Sequence, residues 1–176
     1  MSATAVCQQM EVWVGSYFNW IAAGSGAFYK WATDKDDKPV SDFSAGGLCC
    51  FYFPLLCGYL TKDLDRDEIG NLIIDQMSSG ITGGQPTRWA PSGIQAYKKG
   101  TSIPRGSVVF FSGKGAAYFA HVAVATGNGS STVSFGHNAP YLQGGLHSLQ
   151  VERLTVEDLL QLNKAFTKVH HGLPGW

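Results

Sequence analysis

A chain of 176 residues that is 44% hydrophobic and 12% aromatic carries enough apolar side chain for one packed domain over residues 1–176, and too much for a disordered segment. Lys plus Arg number 13 and Asp plus Glu 13, so the formal net charge is zero and nothing in the balance recruits nucleic acid or an anionic membrane. The four cysteines include no Cys-x-x-Cys pair to build a zinc knuckle, and no run approaches the roughly 18 apolar residues of a membrane-spanning helix.

The opening MSATAVCQQMEVW has no basic segment leading into an apolar one, so no Sec leader is expected. The chain reads as cytoplasmic, or as exported by a specialised secretion system, with free thiols in preference to disulfides. Met10, Trp13, Val14, Tyr17, Trp20 and Ile21 recur at helical spacing and predict an amphipathic helix over residues 7–23 that ends in a glycine-rich break. TDKDDK (33–38) mixes charge signs ahead of Pro39 and reads as a solvated turn.

SAGGLCCFYFPLLCGYL (44–60) sets two adjacent cysteines between a glycine pair and an apolar run. Counted from Cys49, the positions at +3, +4, +7 and +8 are Tyr52, Phe53, Leu56 and Cys57, one face of a helix. A helix opened there buries that stripe and holds the thiol at the positive end of the helix dipole, where a thiolate is stabilised. Counted from Cys50, the stripe takes in Pro54 and Gly58, a poorer core face. Pro54 has no N–H to give a regular helix, however, and a helix that starts later favours Cys50, so both cysteines stand as candidate nucleophiles.

TKDLDRDEIGNLIIDQMSS (61–79) predicts another helix, with Ile69, Leu72, Ile73 and Met77 on one face. Asp63, Asp65 and Asp67 imitate a calcium loop, but Glu68 stands where its glycine is needed and Ile74 where its bidentate Glu belongs. These carboxylates suit a first helical turn instead. Residues 80–106 are rich in Gly, Pro, Ser and Thr, with one short helix expected around 91–98, and Trp89 among them reads as loop packing before it reads as a cleft wall. SVVFF (107–111), HVAVAT (121–126) and STVSFGH (131–137) then predict three consecutive antiparallel strands. TVEDLLQLNKAF (155–166) opens on a Thr cap with Glu157 and Asp158 in its first turn and predicts a C-terminal helix. Helices first and a small antiparallel sheet after make the fold class α+β.

The segment from Ile103 to Asn138 resembles the signature of the NlpC-type and CHAP families of papain-like cysteine hydrolases, through Pro104–Phe111, AHVAVATGNG from Ala120, and SFGHN from Ser134. The resemblance implies a papain-like fold in which a Cys at a helix start pairs with a His at the start of a following strand, hence Cys49 as nucleophile and His121 as base. Three positions depart from the pattern: Leu48 replaces the Asp or Gln before the nucleophile, Cys50 the small residue after it, and Ser107 the Asp after the Pro-Arg-Gly turn. They leave the choice between Cys49 and Cys50 open. For the residue that orients the imidazole, strand alternation puts His121, Ala123 and Ala125 on a small face and Ser134, Gly136 and Asn138 on another. Matching the two sets Asn138 beside His121, with His137 as the second candidate. Cys7, Cys57, His147, His170 and His171 lack such surroundings and read as structural or solvent-exposed.

The chemistry expected of this constellation is thiolate attack on an amide, a thioester, and hydrolysis by water that His121 activates, with no metal or organic cofactor. The resembling families mostly cut amide bonds of peptidoglycan. The expected partner is therefore a peptide or protein substrate, peptidoglycan first, for a monomeric toxin effector with a cognate immunity protein. A glutamine or asparagine deamidase acting on a host protein uses the same triad, and so, with less support, does an acyl transferase. Outside enzymes, the alternative is a catalytically silent papain-like binding module.

Overall fold

The computed structural model describes residues 3–34, 46–78, 88–113, 119–137 and 149–176. Its sheet is built from the β-branched and aromatic segments picked out above, and more. Strands β1 (Gln95–Ala96), β2 (Val108–Gly113), β3 (Phe119–Ala125), β4 (Ser131–Ser134), β5 (Glu152–Thr155) and β6 (Phe166–Gly172) form one antiparallel sheet in the order β1-β6-β2-β3-β4-β5. The registers that matter for the site are Phe111 opposite His121, Val124 opposite Val133, and Ser134 opposite Glu152.

Side chains alternate across a strand, so this sheet has two faces, and both are buried. Val108, Phe110, Val122, Val124 and Val133 face helices α1 (Ala3–Val12) and α3 (Tyr52–Leu60) in the larger core. Val109, Phe111, Ala123 and Ala125 face Val156 and Leu159 of α5 (Val156–Leu162), with Phe166 and Val169 of β6, in the smaller one. Helices α2 (Gly26–Asp34) and α4 (Arg66–Ser78) pack on each other at the rim of the larger core. The class is α+β, with the helices ahead of the sheet in the chain save α5.

The sequence reading is corrected in four places. The helix expected over 7–23 ends at Val12, because Gly15 takes φ +92° and its N–H donates to Val151 O; Tyr17 then bridges to Gln150 and Trp20 to Leu48 as extended chain. The spacing that looked helical is a short helix followed by an edge segment. Around 91–98, Gly93 at φ +100° turns the chain into β1, which pairs with β6 in place of a helix. The C-terminal helix stops at Leu162, since Phe166 begins a strand, and β5 and β6 have no counterpart among the expected strands. The helix after residue 61 opens at Arg66, where Asp65 accepts from Glu68 N–H and Glu68 accepts from Asp65 N–H, a capping box. No helix among the described residues is long and apolar enough to cross a membrane.

Candidate active site

The thiols sit at the entrance to α3. Cys49 carbonyl accepts from Tyr52 N–H and Phe53 N–H, both at 3.1 Å, so the first turn closes on Cys49 although regular helix begins at Tyr52. Pro54 lies within that turn, where its missing N–H costs the bond to the Cys50 carbonyl and no more. Tyr52 to Gly58 are all buried and only Tyr59 and Leu60 at the end are exposed, so α3 is buried on every side over its first two turns and does not present a single apolar stripe. Leu48, fully buried, hydrogen-bonds Asn19 O and Ile21 N–H and fixes the approach to the cysteines.

The two thiols face different donors. Cys49 meets the backbone N–H groups of Tyr52 and Phe51, the helix's own start. Cys50 meets the N–H of Val122 on β3 as well as that of Phe51. Val122 N–H is directed away from β2, because Ala125, an odd number along, donates to Ser107 on that side. It points to the gap that opens where the β3–β4 ladder stops, the side on which Cys50 lies. Cys49 and Cys50 are only 3% and 7% exposed. Burial pushes Cys49 up to about 12 and Cys50 further still, so both are neutral thiols.

His121, 1% exposed, lies on the smaller-core face of β3, between Phe111 at 5.6 Å and Phe166, which stacks on it at 5.5 Å and 17°. Its Nε2 is 2.9 Å from Ser134 Oγ, which is 3.4 Å from His137 Nδ1; His137 Nε2 is in turn 2.8 Å from Glu152 Oε2. Asn163, the residue that ends α5, donates to the His137 carbonyl at 3.2 Å and pins its backbone. His121 Nδ1 is buried without a hydrogen-bond partner among the described residues. Burial, aided by His137, drives the His121 imidazole down to about 3, and burial also lowers His137, against the pull of Glu152.

Among the predicted residues, the structure joins His121 to His137 through Ser134 and joins Cys50 to the backbone one residue beyond His121. It draws no hydrogen bond from His121 to either thiol: the cysteines belong to the larger core and His121 stacks in the smaller. Gly136 closes the arrangement, since a Cβ there would lie 3.7 Å from Cys50 N and 3.1 Å from Trp20 Cδ1. Asn138 and His147 lie outside the described residues. Ser134, Glu152 and Asn163 were not singled out by sequence as site residues. Ser134 had a signal, its place on the small face opposite His121's, whereas Glu152 and Asn163 had none.

Cys7 donates its thiol proton to Ala125 O at 3.3 Å and Cys57 is fully buried, both structural. Trp89 is loop packing, edge-on to Trp176 at 5.4 Å and to Phe51 at 6.3 Å. His170 and His171 lie on β6.

No family model matches the sequence, and no curated protein matches it. Among solved structures, the chain is similar to the P60 domain of an antigen from M. avium subspecies paratuberculosis, with a TM-score of 0.46 and 14% identity over 99% of this chain and 96% of that one.

Proposed function

We propose that the protein is a thiol-dependent hydrolase of amide bonds, with Cys50 as nucleophile and His121 as base. The observation that carries this reading is the buried His121 Nδ1, without a hydrogen-bond partner among the described residues, one residue ahead of a backbone N–H on the side where Cys50 lies. Nδ1 takes the thiol proton; the sulfur attacks the carbonyl carbon; the C–N bond breaks as His121 returns the proton to the leaving amine. Water then gives His121 a proton, attacks the thioester carbon and frees the thiol. Backbone N–H groups at the start of α3 supply donors for the oxyanion. Thiol and imidazole are neutral here and lie against different cores with no hydrogen bond between them, so this reading requires substrate binding to uncover the thiol and bring the two together before the proton moves. Cys49 is the alternative nucleophile, its sulfur resting on the helix start alone.

The resemblance of residues 103–138 supports peptidoglycan peptides as substrate. The test is to incubate purified protein with peptidoglycan fragments and read the products by mass spectrometry. New amine termini from wild type and none from Cys50→Ala are expected. A gain of about one dalton on a protein substrate, without wall cleavage, moves the same thiol chemistry to a side-chain amide, the deamidase reading. Equal behaviour of wild type and of both Cys→Ala variants in every assay sinks the enzyme and leaves a binding module.

A further inference from the structure

The chain of contacts behind His121 has four members, and its far end is a carboxylate. Register puts Ser134 directly opposite Glu152 on β4 and β5, and Gly136 at φ +67° curls the chain so that His137 returns over Ser134. His121, Ser134 and His137 are each no more than 1% exposed, whereas the Glu152 side chain keeps 38% of its surface in contact with solvent.

Resting on the hydrolase reading, we infer that Ser134 and Glu152 are positioning residues that fix the tautomer of His121 and leave its Nδ1 as the bare base. The directions follow one from another. A carboxylate only accepts, so the 2.8 Å contact requires a proton on His137 Nε2. A neutral His137 then has a lone pair on Nδ1, which takes the Ser134 hydroxyl proton. With its proton committed, Ser134 Oγ accepts across 2.9 Å from His121 Nε2–H. A neutral His121 with its proton on Nε2 has none on Nδ1, the atom that lacks a partner among the described residues. Glu152 thus orders a base three contacts away, without touching substrate.

The test reads the tautomer on purified protein with no substrate, by long-range proton–nitrogen NMR of the histidine rings. Wild type is expected to show His121 protonated on Nε2 and pyridine-like at Nδ1. Ser134→Ala and Glu152→Gln, which cut the chain or let an amide N–H face His137, are expected to bring up the opposite tautomer and to slow hydrolysis by about 10–100-fold, with Ser134→Thr restoring both. Glu152→Gln, at the solvent end, keeps the test open if Ser134→Ala fails to fold. A wild-type His121 protonated on Nδ1, or a tautomer indifferent to both substitutions, overturns the inference even where Cys50→Ala abolishes hydrolysis. The expected tautomer in a protein that cleaves nothing upholds the chain and removes the hydrolase instead.

Discussion

Two neighbouring cysteines share a helix start and differ in what surrounds the sulfur. A helix N-terminus favours a thiolate by 0.3–1 kcal/mol, or up to about 2 when partly buried. Raising Cys49 from 9.0 to about 12 corresponds to roughly 4 kcal/mol against the thiolate, so burial prevails and the dipole alone cannot activate either thiol. On the hydrolase reading, activation comes from proton transfer to an imidazole, and Cys50 is the thiol beside the strand that carries one. Cys50→Ala is therefore expected to lower kcat/KM on an amide substrate by about 1,000-fold or more, and Cys49→Ala to stay within about 10-fold. The reverse ranking in steady-state kinetics would move the nucleophile to Cys49. The same burial predicts that iodoacetamide labels the native thiols slowly at neutral pH, with all four becoming reactive in denaturant, as mass spectrometry would show.

At the scale of elements, the turn between β4 and His137 holds the site to the sheet. Gly136→Ala forces an L-residue into φ +67° and drives its methyl to 3.1 Å from Trp20 Cδ1, so a loss of about 1–3 kcal/mol is expected in urea unfolding, along with a weaker His121–His137 chain. Stability equal to wild type would show that the turn relaxes freely. Thr155→Ala, which removes the capping box with Asp158 at α5, is expected to cost about 1 kcal/mol and to leave the thiol site unchanged. The central strands were legible because SVVFF is a run of β-branched and aromatic residues and HVAVAT alternates Val with Ala, with glycine turns between them. The small face of β4 had the right parity, since Val124 opposite Val133 extrapolates to His121 opposite Gly136, two residues from the pairing with Asn138 that composition suggested. Parity follows from alternation, whereas register depends on where the hairpin turns. Glu152 was beyond reach for a related reason: ERLT is short, half-exposed and mixed in charge, and only pairing with β4 brings it to Ser134. Trp20 misled because one amphipathic period fits both a long helix and a short one followed by extended chain, and Gly15 decides between them.

For the whole molecule, the buried imidazoles tie stability to pH. His121 falls from 6.5 in the open chain to about 3 in the fold, so between those values the unfolded state binds a proton that the folded state refuses. Stability is full above pH 6.5 and is lost as pH falls toward 3, by up to about 1.4 kcal/mol per pH unit for this group. His137 and His171 are also lowered by burial and act with the same sign. Depressed carboxylates, such as Glu11 held by Arg105 across α1 and the Pro-Arg-Gly turn, stabilise fully above their ordinary value of 4.5 and add to the slope only below it. Between 6.5 and 4.5 the histidines therefore act without them. Urea unfolding across that window is expected to show stability falling with acidification at a slope of one proton or more. His121→Phe, whose ring takes the same slot between Phe111 and Phe166, is expected to flatten the slope by about one proton. An unchanged slope in that variant would mean His121 is solvated in solution, and a solvated imidazole also removes the dry polar chain that gives Ser134 and Glu152 their hold on it.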